Sequence, residues 1–208
     1  MTFQTWLAFS IAAGIVLVIP GPTIIAVISH SLAQGRRAVI PLVIGVTLGD
    51  FTAMSLSLLG LGAVLAASAS LFAALKLFGA LYLIYLGIRL WRSQPHAAAP
   101  NLTAEAVSGK SLLTSLFFIT TLNPKSIAFF IAFLPQFVNP SAKPLPQFLI
   151  LGGTFLFLAA LNATLYSLFA GQLREKMQST HARRWLNRCA GTALIGAGFL
   201  TAAMRRSS

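Results

Sequence analysis

The sequence predicts an all-α polytopic membrane protein with six transmembrane helices, and three observations predict it. Of 208 residues, 57% are hydrophobic and only 9% are charged, with a mean hydropathy of +0.83; a soluble domain is about a quarter charged. Apolar stretches near the roughly 20 residues needed to cross a bilayer recur along the whole chain. Two of them are interrupted by proline at corresponding places in the two halves. The first break reads Ile19-Pro20-Gly21-Pro22-Thr23 and the second Leu122-Asn123-Pro124-Lys125-Ser126.

Segment one runs over Phe3 to Ser29 and carries the Pro-Gly-Pro break; it reads as a retained spanning helix, since no basic region or small-residue cleavage site marks a signal peptide. The polar turn Ser31 to Arg37 leads into segment two, Val39 to Ala66, which contains Asp50. The small residues Ala66-Ala67-Ser68-Ala69-Ser70 allow a tight turn into segment three, Leu71 to Trp91, which closes on the interfacial anchor Arg89-Leu90-Trp91-Arg92. Residues 93–110 are Ala-, Pro- and Ser-rich and read as a linker, dividing the chain into repeats 1–92 and 111–208. Segment four, Ser111 to Phe137, carries the Asn-Pro-Lys break. The prolines at 140, 144 and 146 exclude helix from its exit. Segment five spans Gln147 to Ala170, a basic loop runs from Arg174 to Arg188, and segment six, Cys189 to Met204, is short for a span.

The net charge of +12 comes from 15 Lys and Arg against three acids. These cations sit mostly between the apolar runs, so they set topology and meet anionic headgroups rather than nucleic acid. Their bias places the linker and the other odd-numbered loops in the cytoplasm and both termini in the periplasm. The single cysteine, Cys189, rules out a CxxC redox pair. His30, His96 and His181 read as solvated residues at or beyond helix ends, too scattered for a metal site. No cofactor is expected. No phosphate-cradling glycine loop or catalytic constellation is visible, so an enzyme is not expected and transport would draw on an ion or proton gradient.

Proline removes a backbone donor and splits a helix. Asn123 suits an N-cap with Pro124 at the first helical position; Gly21 and Pro22 are a weaker version of the same pair. A helix start inside a membrane turns unpaired N–H groups and a positive dipole end toward whatever lies ahead of it. In lipid this is tolerated where it lines a protein cavity, and there it can hold a carboxylate. The alternative is that both prolines merely kink their helices. Asp50 lies twelve residues beyond Ala38, about 18 Å deep at 1.5 Å per residue. It reads as a proton carrier or the partner of a substrate ammonium; a protonated or paired structural acid is the alternative. Lys125 either pairs with Asp50, attracts a carboxylate or snorkels along a vestibule. Thr23 and Ser126 follow the two prolines at matching places and would hold the carboxylate, or else bond back to their helices. Asn162 is a further intramembrane polar group; Thr47, Ser55, Thr154 and Tyr166 are candidates for the path or for interhelical bonds. Phe129, Phe130, Phe133 and Phe137 read as packing or lipid-facing residues.

Three helices per half make the second half enter the membrane upside down, the inverted-repeat plan of many secondary transporters. Gly45-Val46-Thr47 is echoed by Gly152-Gly153-Thr154, and Gly79-Ala80-Leu81 by Gly191-Thr192-Ala193.

The chain resembles the LysE/RhtB family of amino-acid exporters. The likeness is carried by Pro20-Gly21-Pro22, Gly35-Arg36-Arg37-Ala38, Gly45 to Gly49-Asp50, Asn123-Pro124-Lys125-Ser126, and Phe129-Phe130 with Phe133-Leu134-Pro135-Gln136-Phe137. Family members often have Asn after Pro-Gly-Pro; here Thr23 stands in its place. The resemblance implies a bacterial inner-membrane protein that exports an amino acid or derivative in exchange for protons, with a homodimer as an allowed assembly. Rival readings are another small solute or ion on the same scaffold, a non-transporting membrane subunit, or a membrane enzyme.

Overall fold

The computed structural model describes residues 1–92, 107–139, 142–172 and 180–203, and among them the secondary structure is entirely helical. The first apolar stretch splits as expected, into α1 (Phe3–Val18) and α2 (Pro22–Gln34), with Gly21 as the N-cap of α2. A 3-10 turn, Gly35–Ala38, comes next; Gly35 is the one described residue with positive φ, +63°. Helix α3 (Val39–Ala67) passes to α4 (Ala69–Arg92) through Ser68, whose hydroxyl accepts the Leu71 N–H at 3.3 Å. Helix α5 (Gly109–Thr121) starts on the Ser108 cap, two residues ahead of the expected Ser111. Residues 93–106 of the expected linker lie outside the described residues.

The second break bends its stretch by 43° between α5 and the segment from Pro124 to Phe137. That segment is not one regular helix. Helix α6 (Pro124–Ala128) opens into a π-helical turn, Phe129–Phe133, and tightens into a 3-10 turn, Leu134–Phe137. Two expectations about the C-terminal helices are corrected. Helix α7 (Pro144–Leu168) begins on a proline, because first-turn residues need no N–H partner inside the helix. Gln147 then binds the backbone of Asn139, Ala142 and Lys143, closing the preceding turn. Helix α8 (Thr180–Ala203) takes in half of the expected basic loop and so reaches 24 residues. Long basic side chains can keep their charges in water while their stems cover apolar surface, and here the Arg188 guanidinium lies 5.3 Å over the Trp91 ring.

Two described helical stretches are long and apolar enough to cross a membrane, Pro22–Gly60 and Leu145–Leu168, and the bent pair around Asn123 makes a third. Large apolar side chains such as Ile11, Leu48, Phe51, Phe118, Phe157 and Leu161 face outward. That exposure suits lipid as the solvent, where helices associate by close packing rather than by expelling water. Close packing is what the glycines provide. On α3, Gly45 and Gly49 are one turn apart and lie against α5; an added Cβ would stand 2.6 Å from the Leu113 carbonyl oxygen and 2.8 Å from that of Phe117. Between α4 and α8 the approach is reciprocal. A Cβ at Gly87 would meet the Gly191 carbonyl at 2.6 Å, and one at Gly191 would meet the Gly87 carbonyl at 2.5 Å.

Two larger apolar clusters fill the interior, beside a small third one of Ile24, Ile28 and Ala170. One gathers Phe9, Phe129, Phe130, Phe133 and Phe155 with Ala53, Met54 and Leu151. Phe129, Phe130 and Phe133 are therefore packing residues and not lipid-facing. The other gathers Val27, Leu42, Val46, Leu112, Leu116 and Ala163.

Candidate functional site

Between the two clusters lies a polar layer. On α3 it falls at Asp50, after Leu42 and Val46 of one cluster and before Ala53 and Met54 of the other. Thr23, Asp50, Thr120, Asn123 and Ser126 all reach it and are all buried.

The two helix breaks meet in this layer. Asn123 is the N-cap of α6, and its Oδ1 accepts the Lys125 N–H at 3.1 Å. Its Nδ2 donates to Thr23 Oγ1, also at 3.1 Å, so the cap of one interrupted helix grips the first turn of the other. Thr120 donates to the same Thr23 oxygen at 3.3 Å. Thr23 thus looks across the break instead of back along its own helix. Gly21 offers no side chain to cap α2, and it leaves room for Lys125: a Cβ there would sit 3.5 Å from Nζ.

The glycine contacts with α5 bring Asp50 to this point, and Thr121 donates to the Gly49 carbonyl at 3.4 Å. The carboxyl is 3% exposed. Ser126 and Lys125, in the first turn of α6, lie near it. Its Oδ1 has no hydrogen-bond partner. A buried polar atom left unpaired costs about 1–3 kcal/mol, so this oxygen is set to receive a donor. Among the described residues no ion pair joins Asp50 to Lys125.

Lys125 turns the other way. Its ammonium donates to the carbonyls of Val16 at 3.1 Å and Ile19 at 2.9 Å, at the C-terminal end of α1. Asn162 donates to the Leu17 carbonyl at 3.1 Å and the Tyr166 hydroxyl to that of Val18 at 2.7 Å. A helix leaves its last four carbonyls without partners inside the helix. Here those four are satisfied by side chains from α6 and α7.

The structure therefore gathers Gly21, Pro22, Thr23, Asp50, Asn123, Pro124, Lys125 and Ser126 at one place, with Asn162 on the carbonyl end of α1. Thr47 bonds back to Val43. Thr154 bonds back to Ile150 and accepts the Trp6 indole N–H at 2.9 Å. Thr120 and the α1 carbonyls were not among the expected site residues. The pair Thr120-Thr121 directly before the break was the available signal for the first. The carbonyls carry no side-chain signal at all. His30 is corrected: it lies inside α2, half-buried, with Nδ1 buried and unpartnered, and is not a solvated loop residue. His181 falls in the first turn of α8, and His96 lies outside the described residues. Among the described residues no group of three metal-ligating side chains occurs.

Helices with lipid-facing surfaces around a sealed polar layer, where two broken stretches touch end to end, define a class of membrane translocators. The chain belongs to the LysE type translocator family, whose sequence profile matches residues 14–205. A homoserine/homoserine lactone efflux protein of Salmonella typhimurium is 32% identical, with both chains covered completely. An uncharacterized membrane protein of Vibrio cholerae is 34% identical over 97% of this chain and 98% of its own. A leucine efflux protein of an Enterobacter species is 28% identical over 96% of this chain and 93% of its own. No solved structure is significantly similar.

Proposed function

We propose that this chain is a secondary-active exporter of an amino acid or close derivative across the bacterial inner membrane, driven by exchange with protons. The observation that carries this reading is the sealed layer in which both breaks meet around Asp50 and its unpartnered oxygen. The efflux proteins among its relatives supply the class of cargo. The substrate carboxylate docks at the helix starts of α2 and α6, against Thr23 and Ser126, with Lys125 drawing it in. Asp50 carries the coupling proton, because a carboxyl in a dry layer is easily neutralised and returns its proton when water enters.

Segments 1–92 and 111–208 act as two inverted three-helix repeats, with the stretch 93–110 as a cytoplasmic linker and both termini in the periplasm. The matching breaks and the reciprocal Gly87–Gly191 contact support this arrangement. The repeats rock about the layer, opening one apolar cluster at a time.

The test is flux into proteoliposomes under an imposed proton gradient, screened across the amino acids. At least one should be moved against its gradient, and Asp50→Asn should abolish that movement at equal protein level. If purified protein moves no amino acid, the chain is a carrier of another solute or a non-transporting subunit. If Asp50→Asn transports normally, Asp50 is not the proton carrier.

A further inference from the structure

A broken helix presents two ends of opposite polarity side by side. The N–H end of α2 is positive and the carbonyl end of α1 is negative, and only Pro20 and Gly21 lie between Ile19 and Pro22. A free amino acid carries a carboxylate and an ammonium separated by one carbon. It therefore matches the break in charge. The exporter reading places the carboxylate on the N–H end. What occupies the carbonyl end now is an ammonium of the protein itself, Lys125 Nζ, bound to Val16 and Ile19.

We propose that the Val16 and Ile19 carbonyls form the subsite for the substrate's α-ammonium, and that Lys125 is a tethered occupant which the substrate displaces. The inference rests on the exporter reading and deepens it.

Three features support the exchange. An ammonium offers three N–H donors, so one ammonium replaces another on the same carbonyls without loss of bonds. The displaced Lys125 finds its acceptor in the carboxylate that the substrate brings. Room for the movement exists at Gly21, where no side chain blocks Nζ. The neighbouring Leu17 and Val18 carbonyls are already held by Asn162 and Tyr166. The ammonium is thus directed to the two carbonyls that Lys125 vacates.

The charge balance gives the selectivity. A zwitterion adds no net charge to the layer: its ammonium takes the carbonyls and its carboxylate takes Lys125. An amine without a carboxylate would put a second unpaired cation into a buried layer. An acid without an amine would strip Lys125 from the carbonyls and leave them bare. Each failure is costly, because an uncompensated buried charge or acceptor is far more expensive than a poor contact. Lys125 is therefore a specificity-determining residue that requires both groups on one molecule.

The experiment measures binding to purified protein in detergent, using the amino acid transported best together with its decarboxylated amine and its deaminated acid. Wild type should bind the amino acid and reject both analogues by at least 100-fold. Lys125→Met leaves the carbonyls open and should bind the decarboxylated amine at least tenfold more tightly than wild type does. Lys125→Gln, which still offers an N–H to the carbonyls, is measured beside it in case Lys125→Met does not fold, and should also gain amine binding. The inference is overturned if wild type binds the amine as well as the amino acid, or if the folded variants reject the amine as strongly as wild type. Failure of the exporter reading looks different: wild type then binds no amino acid at all.

Discussion

Asn123 links the two breaks, and replacing it by alanine isolates what that link contributes. Its Oδ1 caps α6 and its Nδ2 reaches Thr23 on α2, both at 3.1 Å, with the side chain buried. Losing an N-cap costs about 1 kcal/mol. Interhelical side-chain bonds in membrane proteins average about 0.6 kcal/mol, with a maximum near 1.7. Asn123→Ala should therefore destabilise the protein by about 2 kcal/mol, close to a thirtyfold shift in the folded-to-unfolded ratio. Asn123→Ser separates the two contributions. Serine still caps a helix but is too short to reach Thr23, so it should cost only the smaller amount. In double-mutant cycles with Thr23→Val, Asn123→Ala and Asn123→Ser should both show a coupling of about 0.6–1.7 kcal/mol, because both lose the bond to Thr23. The assay is reversible denaturation in mixed micelles, monitored by circular dichroism. The reasoning is refuted if Asn123→Ala is as stable as wild type, or if neither cycle shows coupling to Thr23.

Three further outcomes are expected. Gly49→Val places side-chain carbons against the Phe117 carbonyl and Thr120, and should destabilise by about 1–3 kcal/mol while lowering transport; Gly153→Ala, with open space around it, should match wild type or gain slightly. Thermal unfolding and flux measured on the same samples decide this. Tyr166→Phe leaves the Val18 carbonyl without its donor and should cost about 1 kcal/mol, and Asn162→Leu should do the same for Leu17, each read by denaturation midpoint. Ser31 and Ser167 share a buried 2.6 Å hydrogen bond between α2 and α7, so replacing both with alanine should cost less than the two single changes summed.

The breaks were legible in the sequence because proline and capping residues act locally: Pro22 and Asn123-Pro124 set helix starts whatever surrounds them. The place of Asp50 along α3 was legible because helical rise is fixed. The π-helical turn at Phe129–Phe133 was not, since its residues favour no particular helix type and packing of the phenyl rings accompanies it. The start of α8 was hidden by Arg183, Arg184 and Arg188, which look like a loop when their aliphatic stems are ignored. Least legible was the destination of Lys125. Its partners, Val16 and Ile19, lie 109 and 106 residues away, and they are backbone carbonyls that no side-chain pattern reveals.

Access to the polar layer is the most direct measure of the central claim, that cargo passes where the two breaks meet. Cys189 is exposed and would be replaced by serine; Ser126→Cys then puts a single thiol of similar size in the layer. Reaction with a small charged thiol reagent should be slow in the resting protein, where apolar clusters close both sides, and should change at least severalfold with saturating amino acid. A rate that no transported amino acid alters would contradict the account, because cargo would then be passing somewhere else.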